Sequence, residues 1–181
     1  AKIASNDGWE VCILDNLSTG LQSNAAGLEA KGVEVHIGDI RDKSLVTDLV
    51  AKSTAVIHLA AQVSVPLSVE NPDETMEINV QGTQNIIDSC LENEVARLVV
   101  ASSAAVYGEA ENLPLKEEAA GDLLSPYAES KWANEQQIIE ARLNGLQASC
   151  LRFFNVYGVG QRPDGAYAAV IPKFADMMAQ G

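Results

Sequence analysis

The sequence predicts an α/β fold built on a parallel sheet. Three observations carry that expectation. Short apolar runs of strand length alternate with segments of helical pattern along the whole chain. Helix starts and stops fall between them, with Ser125-Pro126 opening one helix and Gly32 and Gly145 closing two. The 181 residues, 47% of them apolar, are enough for one domain with a real core.

Taken in order, Ala1 to Gly8 reads as the end of a helix closed by glycine. Val11-Cys-Ile-Leu-Asp15 is a short strand ending in an acid, and Asn16-Leu-Ser-Thr-Gly20 a turn-rich loop. A helix over Gln22 to Lys31 stops at Gly32, and Val33 to Ile37 is the next strand. Gly38-Asp39-Ile40 follows, then a helix from Asp42 to about Ala51. Ala55 to Leu59 is a strand running into Ala60-Ala61-Gln62. Pro72 to Glu92 reads as one long helix with Ile78, Ile86, Ile87 and Leu91 on a buried face. Arg97 to Ser103 is a strand, Pro126 to Asn144 a helix, and Gln147 to Phe153 a strand. Asn155 to Gly165 is a loop, and Ile171 to Gln180 the last helix.

Composition excludes some functions. The chain carries 12 basic and 25 acidic residues, a formal charge of −13. That argues against a nucleic-acid or anionic-membrane surface, though helix termini can still bind a small phosphate ligand. No apolar run is long enough to span a bilayer, and no signal-peptide pattern is present. Cys12, Cys90 and Cys150 have no spacing pattern and read as free thiols of a reducing cytoplasm. His36 and His58 lie in strands without spaced partners, so no metal site is expected.

The chemistry concentrates between Ala96 and Lys131. Ser103 ends a strand, at the edge where open α/β sheets bind ligands. Tyr127 and Lys131 are four apart and share one helix face, with Ser125 as N-cap and Pro126 in the first turn. A serine, a tyrosine and a lysine so placed make a proton-transfer group. The ammonium favours the phenolate, which lets a tyrosine act as a base near neutral pH. Asp15 at its strand end suits ribose hydroxyls, or simply caps a turn. Small residues at Ala60 and Ala61 suit close approach of backbone to a cofactor, or tight packing.

Ala101-Ser-Ser-Ala-Ala-Val-Tyr-Gly108, followed by Tyr127-x-x-x-Lys131, resembles the extended short-chain dehydrogenase/reductase superfamily. Within it the chain resembles the NAD-dependent nucleotide-sugar 4-epimerases, of the UDP-glucose 4-epimerase type. The resemblance implies a Rossmann-like doubly wound sheet, bound NAD, a UDP-hexose substrate, a homodimer through the two long helices and a cytoplasmic location. It makes Ser103, Tyr127 and Lys131 catalytic. It assigns Asp15, Asn16, Asp39, Ile40, Leu59, Ala60, Ala61, Asn79, Ser102, Tyr127, Lys131 and Phe153 to the cofactor. The carboxylate of Asp39 would accept from adenine and Ile40 would pack on the ring. The plainer reading of Asp39 is a helix cap. Ser103, Asn155 and Val170 would meet the substrate.

Ala104-Ala105 separates two chemistries. The related 4,6-dehydratases carry an Asp-Glu pair there to eliminate water, which two alanines cannot do. What remains is oxidation followed by reduction. The resemblance also implies a first strand and a glycine-rich turn that this sequence lacks. If these residues are the whole molecule, a gap is expected between the strands ending at Asp15 and Leu59, leaving open edges; otherwise the sequence is a piece of a longer chain, or rearrangement or another protomer completes the sheet. Residues 1–153 would form a partial NAD-binding domain and 154–181 the start of a substrate region. A catalytically silent fragment or binding module is the alternative.

Overall fold

The structure is a computed structural model. It describes residues 1–109, 113–119, 121–158, 161 and 170–180. Five strands are all paired in parallel: β1 (Cys12–Asp15), β2 (Glu34–Ile37), β3 (Ala55–His58), β4 (Arg97–Ser103) and β5 (Ala148–Phe153). Helices α1 (Lys2–Asn6), α2 (Gln22–Glu29), α3 (Lys43–Val50) and α4 (Val65–Glu70) alternate with the first strands. Then come α5 (Pro72–Met76), a π-helical turn Glu77–Gln81, α6 (Gly82–Glu92), a 3-10 turn Ala104–Tyr107, α7 (Pro126–Leu143) and α8 (Val170–Gln180).

The expected interruption is present. β1 pairs with β2, and β3-β4-β5 form a second sheet, with no ladder joining β1 to β3 among the described residues. The long helix expected over Pro72–Glu92 runs without interruption through its π turn, and it is preceded by α4, which the apolar pattern did not reveal. Ser64 caps α4 by accepting from the Leu67 amide at 3.1 Å, with Pro66 in its first turn.

Packing follows strand alternation. Leu98, Val100 and Ser102 of β4 turn toward one face, where Val46, Ile86, Ile87, Ile138 and Ala141 of α3, α6 and α7 close a buried core. Ala101 and Ser103 turn the other way, beside Leu151 and Phe153 of β5, their register partners. That second face is open, with Ile57 69% and Leu151 47% exposed. At the carboxyl ends, Leu59 after β3 and Phe153 of β5 are exposed and Ser103 of β4 is half-buried.

Two glycines fold the segment after β4 back on itself. Gly108 has φ +57°, and the Gly121 amide donates to the Val106 carbonyl at 3.1 Å. A Cβ at Gly121 would overlap the Tyr107 carbonyl oxygen, and backbone cannot step aside as a side-chain tip can. Gly121→Ala is accordingly expected to lower stability by about 1–3 kcal/mol, the range for forced overpacking, in urea unfolding. An unchanged midpoint would mean that the turn relaxes freely.

Candidate active site at the carboxyl ends of the strands

The centre of the site is the end of β4 against the first turns of α7. Ser125 caps α7 through the Ala128 amide at 3.1 Å, with Pro126 in the first turn as the sequence predicts. The cap fixes where the helix starts, so Tyr127 and Lys131 fall on one face. Tyr127 is partly exposed, whereas Lys131 is 4% exposed and its Nζ donates to the Ala101 carbonyl of β4 at 2.9 Å. Burial lowers the Lys131 pKa to about 8, with a smaller opposing contribution from Cys150. The lysine thus ties helix to strand while holding a positive charge one turn from the phenol.

Ser103 is partly buried on the open face. Its Oγ accepts from the Ala105 amide at 3.1 Å and so starts the 3-10 turn. The hydroxyl proton is still available to donate. Strand-end capping and substrate contact are compatible roles for one serine. Phe153, its register partner on β5, is 40% exposed on the same face. Leu59 and Ala60 after β3 are exposed and Ala61 half-buried, so the small-residue segment is accessible.

Asp15 and Asn16 end β1 at the same kind of edge. Asp15 accepts from the Leu17 amide at 2.8 Å, and Asn16 donates to Asp39 at 3.1 Å, joining the ends of β1 and β2. Both residues are exposed.

Other expected contacts have different surroundings. Ser102 turns inward because neighbouring strand residues face opposite sides. It is 3% exposed and donates to Glu135 at 2.5 Å. Its side chain therefore does not face the open surface that Ser103 shares. Asp39 is gripped by Arg41 at 2.9 and 3.0 Å, and these hydrogen bonds hold its carboxyl well below the ordinary range despite some burial. Ile40 is a core residue: its side chain packs on Gly82, where a Cβ would collide with it. Asn79 is 1% exposed within the π turn. It exchanges hydrogen bonds with the Gln62 backbone at 2.8 and 2.9 Å and donates to Ser130 Oγ at 2.9 Å. It thereby fixes the segment after β3 against α7. Asn155 is exposed, and Val170 opens α8, its side chain outside the described residues. His58 is buried against Thr83 at 2.9 Å, and burial followed by the charge of Lys131 brings its pKa down to about 3.

Sequence reasoning missed a charged tie beneath the site. Arg152 of β5 makes two hydrogen bonds to Glu135 of α7, at 2.8 and 2.9 Å, with both side chains at most 14% exposed. Glu135 also accepts from Ser102 of β4, and the Arg152 guanidinium lies 4.6 Å from the Tyr107 ring centroid. Arg152 further donates to the carbonyls of Glu117 and Ala119. Glu135 stands one turn beyond Lys131 on α7, a helical spacing that could have drawn attention to it. It also missed a grouping of Cys12, Glu34 and His36, whose ligating atoms all lie within 4.8 Å of one another. His36 thus has close neighbours that its sequence spacing concealed.

A parallel α/β fold with Ser103 at a strand's carboxyl end and Tyr127 and Lys131 on the helix packed beside it has the form of the dinucleotide-binding folds. The chain belongs to the NAD dependent epimerase/dehydratase family, whose model matches residues 1–181. It is 43% identical over 180 residues to a Methanocaldococcus jannaschii protein assigned provisionally as a UDP-glucose 4-epimerase, covering 98% of this chain and 57% of that one. It is similar to the UDP-glucose 4-epimerase of Thermus thermophilus in complex with NAD, at 38% identity and a TM-score of 0.88, covering 99% of this chain and 58% of that one. The Thermotoga maritima UDP-glucose 4-epimerase with UDP-glucose gives a TM-score of 0.91 at 28% identity, over 99% and 58%. The chain thus spans a little over half the length of these relatives.

Glu135 gives this tie a sign in pH. Burial works against its charge, but Arg152 and Ser102 outweigh burial and lower its pKa. The stabilisation is full above the unfolded carboxyl value of about 4.3 and is lost as pH falls through the lower folded value. Arg152→Met should cost about 3–5 kcal/mol near neutral pH, because it leaves a buried carboxylate unpaired, and distinctly less in acid. Equal losses at both pH values in urea unfolding would show that packing, not charge, carries the effect.

Proposed function

We propose that this chain carries the catalytic strand and helix of an NAD-dependent 4-epimerase of a nucleotide-linked hexose, of the UDP-glucose/UDP-galactose type. The observation that carries the reading is the bond from Lys131 to the Ala101 carbonyl, which ties the helix bearing Tyr127 and Lys131 to the strand that ends in Ser103. NAD, when bound, supplies the acceptor and donor of a hydride at C4 of the hexose. Asp15 and Asn16 would hold its ribose, Leu59, Ala60 and Ala61 would meet it along the backbone, and Phe153 would flank it. Their accessibility at the carboxyl ends of β1, β3 and β5 fits such a group.

The chain's own residues then move a proton. Ser103 orients the C4 hydroxyl by a hydrogen bond. Tyr127 removes its proton as a general base, and Lys131 supplies positive charge beside the phenolate. When the 4-keto sugar turns in its pocket, so that its other face would take the returning hydride, the same tyrosine gives the proton back to the C4 oxygen. Ala104 and Ala105, in the turn after Ser103, offer no carboxyl groups for eliminating water. This favours the epimerase over the dehydratase half of the family. Residues 1–153 would form the cofactor part and 154–181 the start of the substrate region, with Asn155 and Val170 near the substrate. A homodimer would bury α6 and α7, where Ile139 and Leu143 are exposed.

One observation favours a second reading, a catalytically silent module. β1 and β3 are not laddered to each other, so no described strand joins the ribose-binding end to the catalytic sheet. The two readings separate on cofactor retention and turnover. Purified protein is denatured and the supernatant examined for NAD by mass spectrometry, with UDP-hexose epimerisation assayed in parallel. The epimerase reading expects released NAD, and a Tyr127→Phe variant that stays folded but loses about 10²–10⁴-fold in kcat. Absence of NAD, with no uptake of added NAD, would support the silent module.

A further inference from the structure

We infer that Cys12, Glu34 and His36 form a divalent transition-metal site of the zinc class that clamps β1 to β2. The parallel register assembles it. Cys12 and Glu34 are register partners on neighbouring strands, and His36 is two residues beyond Glu34, so all three lie on the same face. A thiol, an imidazole and a carboxylate are the donor types zinc prefers. Their ligating atoms lie within 4.8 Å of one another, and His36 Nε2 is 2.8 Å from Glu34 Oε1. Ligands around tetrahedral zinc, at about 2.0–2.3 Å from the metal, stand about 3–4 Å apart.

A bound dication would displace the Cys12 thiol proton to solvent. Glu34 and His36 have side chains 68% and 30% exposed, so an ion has an open path and water can complete the coordination. None of the three serves the proton transfer proposed above, and the inference is independent of that reading. The benefit falls where the fold is thinnest, since β1 and β2 have only each other as ladder partners among the described residues.

The test is a cobalt(II) titration of the metal-free, reduced full chain, read by absorbance, with zinc binding followed by calorimetry and thermal melting. The inference expects one cobalt per chain, a thiolate-to-cobalt charge-transfer band, and a rise in Tm with zinc. Cys12→Ser should abolish the band. His36→Gln should weaken binding at least about tenfold, since even indirect partners of a metal ligand are worth that much. Melts of the metal-free variants establish that they fold; if Cys12→Ser does not, His36→Gln and Glu34→Gln decide. A missing band at one equivalent, a band that survives Cys12→Ser, or affinity unchanged in the folded variants would each overturn the inference.

Discussion

The arrangement of the active edge depends on one buried ion pair, Glu135 with Arg152. It lies where β4, β5 and α7 meet, and it satisfies Ser102 as well. Each partner alone would be a costly buried charge, so neither element can shift without the other. Arg152 also reaches the carbonyls at Glu117 and Ala119 and the ring of Tyr107, which in turn lies 6.0 Å from Phe154. The returning segment after β4 is thereby fastened to the carboxyl end of β5. Alternation along β4 does the rest. Ser102 goes down to the ion pair, and Ser103 goes up to the open face.

A second set of ties acts from the side. Asn79 grips the Gln62 backbone and Ser130, Asn134 donates to the Asn79 carbonyl at 2.8 Å, and His58 meets Thr83. These are buried polar groups that bond each other and the backbone, which specifies one packing of the helices on the sheet. The π turn at Glu77–Gln81 falls at this junction and places Asn79 at its centre.

How much was legible follows from the range of each interaction. The strands, the Ser125 cap and the Tyr127–Lys131 pair are local patterns, and they stand where the sequence places them. The interruption between β1 and β3 was expected from the family resemblance, whose fold places a further strand between them. What escaped is long-range. Arg152 and Glu135 are 17 residues apart, and Asn79 and Ser130 are 51 apart. A polar residue's periodicity does not say whether it will find a buried partner. Ile40 and Asp39 show the same limit from the other side. Adjacent in sequence, one sits in the core and the other in a salt bridge, because the chain turns between β2 and α3.

The grouping of Cys12, Glu34 and His36 also explains why motif reading found no metal-ligand spacing. Such motifs place ligands on one turn or one knuckle, a few residues apart. Here the cysteine and the histidine are far apart in sequence, and the sheet register alone brings them together. Parallel pairing makes any two residues of equal offset neighbours, however long the connection between the strands. The same geometry that sets Ser103 beside Phe153 at the carboxyl end of one sheet sets a thiol beside a carboxylate at the start of another. In both places the side-chain chemistry comes from residues that the sequence shows plainly, and the adjacency comes from strand pairing.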